Sequence, residues 1–370
     1  MKLAFSYERE VTGRDFLGRR QECLQLKDAL IQGRSVALYA APKTGKSSLL
    51  HEVLQTLKQD LPSFTVCEFK ADNIIRMEDF VSRFISQLQR AMEPSGTLLQ
   101  GLLKESACSG DDYHSLFLLP SRLRAALSGT ELSQEGLSAD SGSNLIIIIE
   151  EFQRLGALEE FPVLLRALRD ALKELRGQKI SYLFVGSQIN EMKSLFVRSS
   201  FFGEDVQPLT LSDISENEIH DYIRSCLNQT GKVMEKDAIL SLIRLFENNI
   251  WHIKHYMSLC DSLTRGYINE AVSEKALAGL VSSQLPYLNY IASHLTCFQL
   301  RFLRALIDQG RTCNFSSSKI LEQYELHSSA NVVRVRQALM KKEIISKEKG
   351  KGVYIIDPLF RYWLEKYFFQ

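Results

Sequence analysis

The sequence predicts an α/β fold: a mostly parallel sheet wound by helices, then an all-helical stretch, then a terminal unit of three helices and a hairpin. Three observations predict it. Short apolar runs alternate with helical patterns from Ser35 to Leu211. Residues from Ser212 to about Val281 carry helical periodicity alone. Only the segment beyond about residue 286 regains short strands. A chain of 370 residues also exceeds the size at which one hydrophobic core stops growing, so several domains are expected. We place them at 1–211, 212–285 and 286–370.

The elements follow in order. Arg20 to Gln32 reads as a helix with Cys23, Leu26 and Leu30 on one face and Gly33 at its end. "SVALYA" (Ser35 to Ala40) fits a buried strand, and Lys46 to Lys58 carries Leu49, Leu50, Val53, Leu54 and Leu57 at helical spacing. Phe64 to Phe69 is the next strand, followed by a helix from about Met77 to Ala91. Residues 95–143 hold two short helical patterns and a polar, Gly- and Ser-rich stretch, which reads as a flexible surface insertion. "NLIIIIEE" is a buried strand. A helix with Leu165, Leu168, Leu172 and Leu175 on one face comes next, and then strands at Ile180 to Ser187 and Val206 to Leu211.

In the last region Phe298, Phe302, Leu303 and Leu306 mark a helix closing at Gly310. Ser316, Ser317 and Ser318 offer N-caps for "KILEQYEL", and Ser328 or Ser329 caps "NVVRVRQALMKKEII". "IISKEKGKGVYII" reads as a hairpin, which completes the winged-helix pattern. Val332, Val335 and Leu339 face its core. That leaves Asn331, Arg334, Arg336 and Gln337 directed elsewhere, a face that could enter a major groove while Lys347, Lys349 and Lys351 reach a phosphate. A solvated surface or a protein contact is the competing use of that face.

Composition narrows the function classes. A formal net charge of +1 gives no global attraction to nucleic acid or to an anionic membrane. Seven cysteines, an odd number with no C-x-x-C pair, suit reduced thiols in a cytoplasm better than a disulfide frame or a zinc site. "LIIIIEEF" is too short to span a bilayer, so no membrane association is expected. His252 and His255 lie three apart on a helix without a third ligand nearby, which points to a structural role, and Trp251 and Trp363 are expected in the core.

Chemistry concentrates at "YAAPKTGKSSLL". A strand, a loop ending in Gly-Lys-Ser and a helix bring backbone N–H groups and a helix N-terminus onto anionic oxygens. The nucleotide-binding segment is Ala41, Pro42, Lys43, Thr44, Gly45, Lys46, Ser47 and Ser48. Lys46 would reach the β- and γ-phosphates of ATP, and Ser47 would ligate Mg²⁺. Ala40 stands where the pattern has its first glycine, a change tolerated if φ there is negative. A carboxylate on a neighbouring buried strand should hold the metal and a second should polarise water. Glu150 and Glu151 supply both. The tip of the next strand would bring Ser187 or Gln188 beside the γ-phosphate.

With these residues in hand the chain resembles the archaeal-type P-loop ATPase family, within the AAA+ and STAND branch. "FLGRRQECLQLKDAL" is similar to the family's opening motif, and the resemblance implies that Gly18 and Arg19 lie against the adenine. "APKTGKSSLL", "IIIIEEFQRL" and "FVGSQINEMKSLF" match its phosphate loop, metal strand and sensor strand. "ENNIWHIKHY" resembles its lid motif and "YIIDPLFRYWLEKYF" its tail. The chain departs from the family at Ala40, at Glu150 in place of aspartate, at Ile250 in place of the lid proline, and at Glu204 after Gly203, where relatives often carry arginine; Arg198 is a candidate substitute. The resemblance implies an ATP- and Mg²⁺-dependent switch that closes a helical lid and moves a winged helix toward DNA or a protein. The alternative is a module that binds nucleotide and hydrolyses little. An oligomer is left open.

Overall fold

The computed structural model describes residues 5–61, 63–93, 101, 113–128, 143–198, 201–348, 350 and 352–370. The chain divides into two compact units, Arg19–Ala40 with Lys46–Leu211, and Met1–Gly18 with Ala41–Gly45 and Ser212–Gln370. Among the described residues no helix is long and apolar enough to cross a membrane.

The first unit is α/β. Its elements are α1 (Arg20–Ile31), β1 (Ser35–Tyr39), α2 (Lys46–Asp60), β2 (Phe64–Lys70), α3 (Met77–Met92), α4 (Tyr113–Ser128), β3 (Asn144–Glu150), α5 (Phe161–Glu174), β4 (Ile180–Gly186), α6 (Ile189–Lys193) and β5 (Val206–Thr210). The five strands form a parallel sheet in the order β2-β3-β4-β1-β5. Strands β1, β3 and β4 are buried along their whole lengths, as parallel strands covered on both faces must be. Gly33 (φ +69) closes the turn before β1, where a Cβ would come within 2.6 Å of the Lys179 backbone.

Three expectations change. The strand bearing Glu150 does not neighbour the strand before the Gly-Lys-Ser loop, because β4 lies between β1 and β3. Periodicity marks each strand but carries no information about lateral order, which the crossovers set. Within the span 95–143, residues 113–128 form a packed helix rather than surface insertion. Phe117 and Leu123 are fully buried, and Tyr182 donates from its hydroxyl to the Phe117 carbonyl at 2.7 Å. The remainder of the polar stretch, residues 129–142, lies outside the described residues. In α5 the buried face is Phe161, Leu164, Leu168 and Leu172, and Leu165 is only partly covered.

The second unit is helical and ends in a hairpin. It comprises α7 (Glu216–Thr230), β6 (Val233–Met234), α8 (Lys236–Leu245), α9 (Ile250–Leu263), β7 (Tyr267–Ile268), α10 (Glu270–Ser293), α11 (Cys297–Gln309), α12 (Ser318–Gln323), α13 (Ser329–Lys341), β8 (Ile345–Glu348), β9 (Gly352–Ile355) and α14 (Pro358–Trp363). One hydrophobic core runs from Phe5 and Ile219 through Phe246, Met257 and Leu280 to Phe302, Leu339 and Trp363. The boundary drawn at 285/286 falls inside α10, so the lid and winged-helix segments share this core. β6 and β7 pair in parallel where only helices were expected, a bridge of two residues per strand that is too short to show periodicity.

Capping follows the sequence in part. The Ser328 side chain accepts from Asn331 N, and Thr296 and Gln299 form a capping box on α11. Ser317 stands at the N-cap of α12, yet its side chain makes no capping bond. Asn249 accepts from the amides of Trp251 and His252 and opens α9. Ile250 therefore occupies the first helical position, where a proline would lose nothing.

Candidate nucleotide site

In the α/β unit Lys46, Ser47 and Ser48 form the first turn of α2, a helix of 15 residues whose N-terminal amides and dipole suit an anion. Lys46 is buried, and its Nζ donates to the Ala40 carbonyl at 2.9 Å. Burial lowers its pKa to about 8 against the opposing pull of Glu151 and Glu150, while the like charge of Arg19 lowers it further. An anion brought to this ammonium would relieve that desolvation. Ala40 keeps a negative φ, is buried, and donates to the Gly186 carbonyl at 3.3 Å. It continues the ladder one residue beyond β1, and alanine meets that requirement without strain.

Glu150 ends β3. Its Oε2 lies 3.1 Å from Lys70 Nζ, whose residue is its register partner at the end of β2. Ser47 and Glu150 bring hydroxyl and carboxylate oxygens, the donor type Mg²⁺ prefers, so the residues fit that ion. Lys70 would compete with it for the carboxylate.

Glu151 has φ +54, a left-handed conformation that costs a non-glycine residue on the order of 1 kcal/mol. It turns the chain directly after the strand. Its Oε2 accepts from Ser187 Oγ at 2.6 Å and from Gln153 Nε2 at 2.7 Å. Ser187 follows the last residue of β4, and β4 is the strand between Glu151's strand and β1, so the sheet order brings these groups together. Gln188 is the N-cap of α6 and makes no side-chain capping bond.

Gln153 is a residue that sequence reasoning missed. It is 1 % exposed and its Oε1 has no hydrogen-bond partner among the described residues. Gly186 makes room for it, since a Cβ there would meet Gln153 Oε1 at 2.7 Å and Met192 at 2.5 Å. Lys70 was missed as well. The only local signal for Gln153 was a glutamine two residues after the paired glutamates. Lys70 gave none until β2 and β3 were paired.

The other expected binding residues fall in two places. Arg19, at the N-cap of α1, belongs to the α/β unit and adopts φ +58. Gly18 belongs to the helical unit and has φ +66; a Cβ there would meet Ile214 at 3.1 Å. Ala41, Pro42, Lys43, Thr44 and Gly45 also group with the helical unit. Thr44 Oγ1 donates to the Ala41 carbonyl at 2.6 Å, and Gly45 adopts φ +96, which explains a glycine there although a Cβ would meet nothing. Lys43 places Nζ 3.9 Å from the Trp251 ring centroid and 3.2 Å from Gln284 Oε1. Trp251 is thus half-exposed and cation-bound, not the core residue expected. Trp363 is buried.

His252 Nε2 lies 3.2 Å from Asp357 Oδ1, and His255 stacks on Tyr7 with ring centroids 4.1 Å apart. No group of three metal-ligating side chains occurs among the described residues. Arg198 is exposed.

On α13, Arg334 and Gln337 are exposed and Arg336 is half-buried. Asn331 is less available, because its Nδ2 donates to the Leu326 carbonyl at 3.0 Å. Lys349 and Lys351 lie outside the described residues; Lys347 is exposed on β8.

Comparisons with known proteins agree with this architecture. Residues 286–366 match the family model described as "Probable winged helix domain". No curated protein sequence matches the chain. Among solved structures it is similar to a Walker-type ATPase of Pyrococcus abyssi, with 15 % identity, TM-score 0.67, and 98 % of this chain and 99 % of that one covered. It is also similar to the ORC2 protein of Aeropyrum pernix, solved as ADPNP–ADP complexes, with 14 % identity, TM-score 0.57 and coverage of 100 % and 99 %. A third similar structure is Cdc6p from Pyrobaculum aerophilum, with 14 % identity, TM-score 0.50 and coverage of 99 % and 98 %. The chain has the fold of these archaeal P-loop ATPases, a parallel α/β core followed by helices and a C-terminal winged helix.

Proposed function

We propose that the protein is an ATP-binding P-loop ATPase that works as a nucleotide-driven switch. The observation that carries this reading is the convergence in one unit of a buried Lys46 at a helix N-terminus with Glu150, Glu151 and Ser187 at the ends of β3 and β4. Lys46 donates to the terminal phosphates once it leaves the Ala40 carbonyl, and Ser47 and Glu150 hold the metal. Bound Mg²⁺ neutralises charge on the phosphate oxygens. Glu151 orients the attacking water and accepts its proton, and Ser187 hydrogen-bonds the γ-phosphate when it is not bonded to Glu151. Gly18 and Arg19 serve the base side, and Pro42, Lys43, Thr44, Gly45 and Ser48 complete the loop around the phosphates.

Single-turnover ATP hydrolysis by the wild type and by Glu151→Gln tests the reading, with Lys46→Ala as the binding control. We expect hydrolysis in the wild type, loss of turnover with retained ATP affinity in Glu151→Gln, and loss of affinity in Lys46→Ala. A wild type that binds ATP without turning it over would leave the nucleotide-binding module, and unaltered ATP affinity in Lys46→Ala would remove the site.

The winged helix is proposed to engage DNA through Arg334, Arg336 and the basic hairpin residues Lys347, Lys349 and Lys351, with Asn331 at the helix start. The exposure of Arg334 on the helix face opposite Val332, Val335 and Leu339 supports this use.

A further inference from the structure

The loop segment Ala41–Gly45 groups with the helical unit, so the surroundings of Lys43 in that unit lie within one compact body. Lys43 makes no ion pair among the described residues. Its Nζ lies 3.9 Å from the Trp251 ring centroid and 5.8 Å from that of Tyr287, and it donates to Gln284 Oε1 at 3.2 Å. An aromatic face on α9, a second on α10 and a neutral amide oxygen thus meet one ammonium.

The neighbours of Trp251, rather than the lysine, set the plane of its ring. Asn249 accepts from the Trp251 amide at the helix start, and the indole packs at near right angles to Tyr7, with centroids 5.6 Å apart, and to His255, with centroids 5.2 Å apart. Lys43 adopts φ +62, a left-handed conformation that a residue with a Cβ keeps only where its surroundings impose it. Partial burial of its ammonium lowers the Lys43 pKa and the negative charge of Asp357 raises it, so that carboxylate is near enough to attract the ammonium. Asp357 caps α14, its Oδ1 accepting from Leu359 N at 2.8 Å.

We propose that Lys43 and Trp251 form a phosphate-released latch: in the nucleotide-free protein the ammonium rests on the aromatic faces of α9 and α10, and a bound polyphosphate draws it away. Resting on the reading of the loop as a nucleotide site, this latch carries the occupancy of the loop to both helices. The direction of the exchange follows from its chemistry. In the latch the ammonium has one neutral oxygen and two ring faces. On a triphosphate it meets ionised oxygens, and hydrogen bonds to an ionised acceptor are roughly twice as strong as those between neutral groups. Cation–π contacts are weakest at exposed sites, and Lys43 and Tyr287 both stay exposed to solvent. The latch therefore yields to a polyanion while holding the free loop in one place.

The chain has two tryptophans, so Trp363→Phe leaves Trp251 as the sole indole reporter, checked against the wild-type minus Trp251→Phe difference spectrum. Inorganic triphosphate, which has the phosphates and no base to stack on the ring, is the probe, and calorimetry reads its binding separately. We expect triphosphate to shift the emission of Trp251. In the same background Lys43→Met should move the emission in the same direction without ligand and should show no further change at saturating triphosphate. Trp251→Leu should tighten triphosphate binding about threefold, the latch no longer competing, whereas Trp251→Phe, which keeps an aromatic face, should stay within about twofold of the wild type. Triphosphate that binds without moving the Trp251 emission, an equal ligand-induced shift in Lys43→Met, or unchanged affinity in Trp251→Leu would overturn the latch and leave the nucleotide site standing. Triphosphate that fails to bind, or that binds equally well to Lys46→Ala, would remove the nucleotide site and the latch together.

Discussion

Ser187 donates from Oγ to Oε2 of Glu151 across 2.6 Å, joining the tip of β4 to the residue that follows β3. The same oxygen accepts from Gln153, so both donors converge on one oxygen of the carboxylate. A base held this way keeps its orientation, but a general base must have a lone pair available to take a proton. We expect Gln153→Ala to lower single-turnover ATP hydrolysis about tenfold with ATP affinity unchanged, because one positioning bond is worth on the order of 1 kcal/mol. Equal loss of affinity and rate would mean that Gln153 only supports the fold.

Lys46 links nucleotide binding to pH. Its pKa, pushed down to about 8 by burial, means that above pH 8 the free protein increasingly holds a neutral amine. Binding ATP to the ammonium then requires proton uptake, so affinity falls as pH rises. Between pH 7 and pH 9 the apparent Kd for ATP should weaken by about tenfold, and Lys46→Arg should flatten the profile. Calorimetry in buffers of different ionisation enthalpy reads the proton directly.

Lys70 competes for the proposed metal carboxylate, at 3.1 Å from Glu150 Oε2. Lys70→Met keeps most of the side-chain volume and frees that oxygen. The Mg²⁺ concentration for half-maximal ATP hydrolysis should then fall by about threefold, a modest effect because the lysine is largely exposed. Glu150→Gln should raise it by tenfold or more. Mg²⁺ titrations of the three proteins decide the matter.

On the winged helix, Arg334→Ala with Arg336→Ala should weaken duplex DNA binding at all sequences tested. It should also reduce the slope of log K against log salt by about two if each arginine neutralises one phosphate. An unchanged slope would assign this face to a protein partner.

The pattern of residues carried the α/β core a long way. The runs "SVALY", "NLIIIIE" and "ISYLFVG" read as buried strands and form them, and the helices between them repeat their leucines every three or four residues. The local chemistry of the loop was equally plain, because Gly45, Lys46 and Ser47 sit within a few bonds of one another. What stayed out of reach depends on side chains that meet only after strands pair. Gln153 is an ordinary polar residue until Gly186, on another strand, opens the space that buries it. Lys70 is an ordinary strand end until β2 lies beside β3. The segment holding helix α4 showed only short helical patterns in the sequence, and its burial becomes visible only against Tyr182.

By itself, then, the sequence marked the strands of the α/β sheet and most of the helices and singled out one loop as the candidate phosphate cradle, since periodicity and turn chemistry act over a few residues. Tertiary structure decided the lateral order of the sheet, with β4 between β1 and β3, and hence that Ser187 meets Glu151. It also decided that the lid and winged-helix segments share one core, and that Lys43 meets Trp251 and Tyr287. The physical reason is that these contacts depend on chain crossovers and on the desolvation of distant polar groups, and no short window of sequence encodes either.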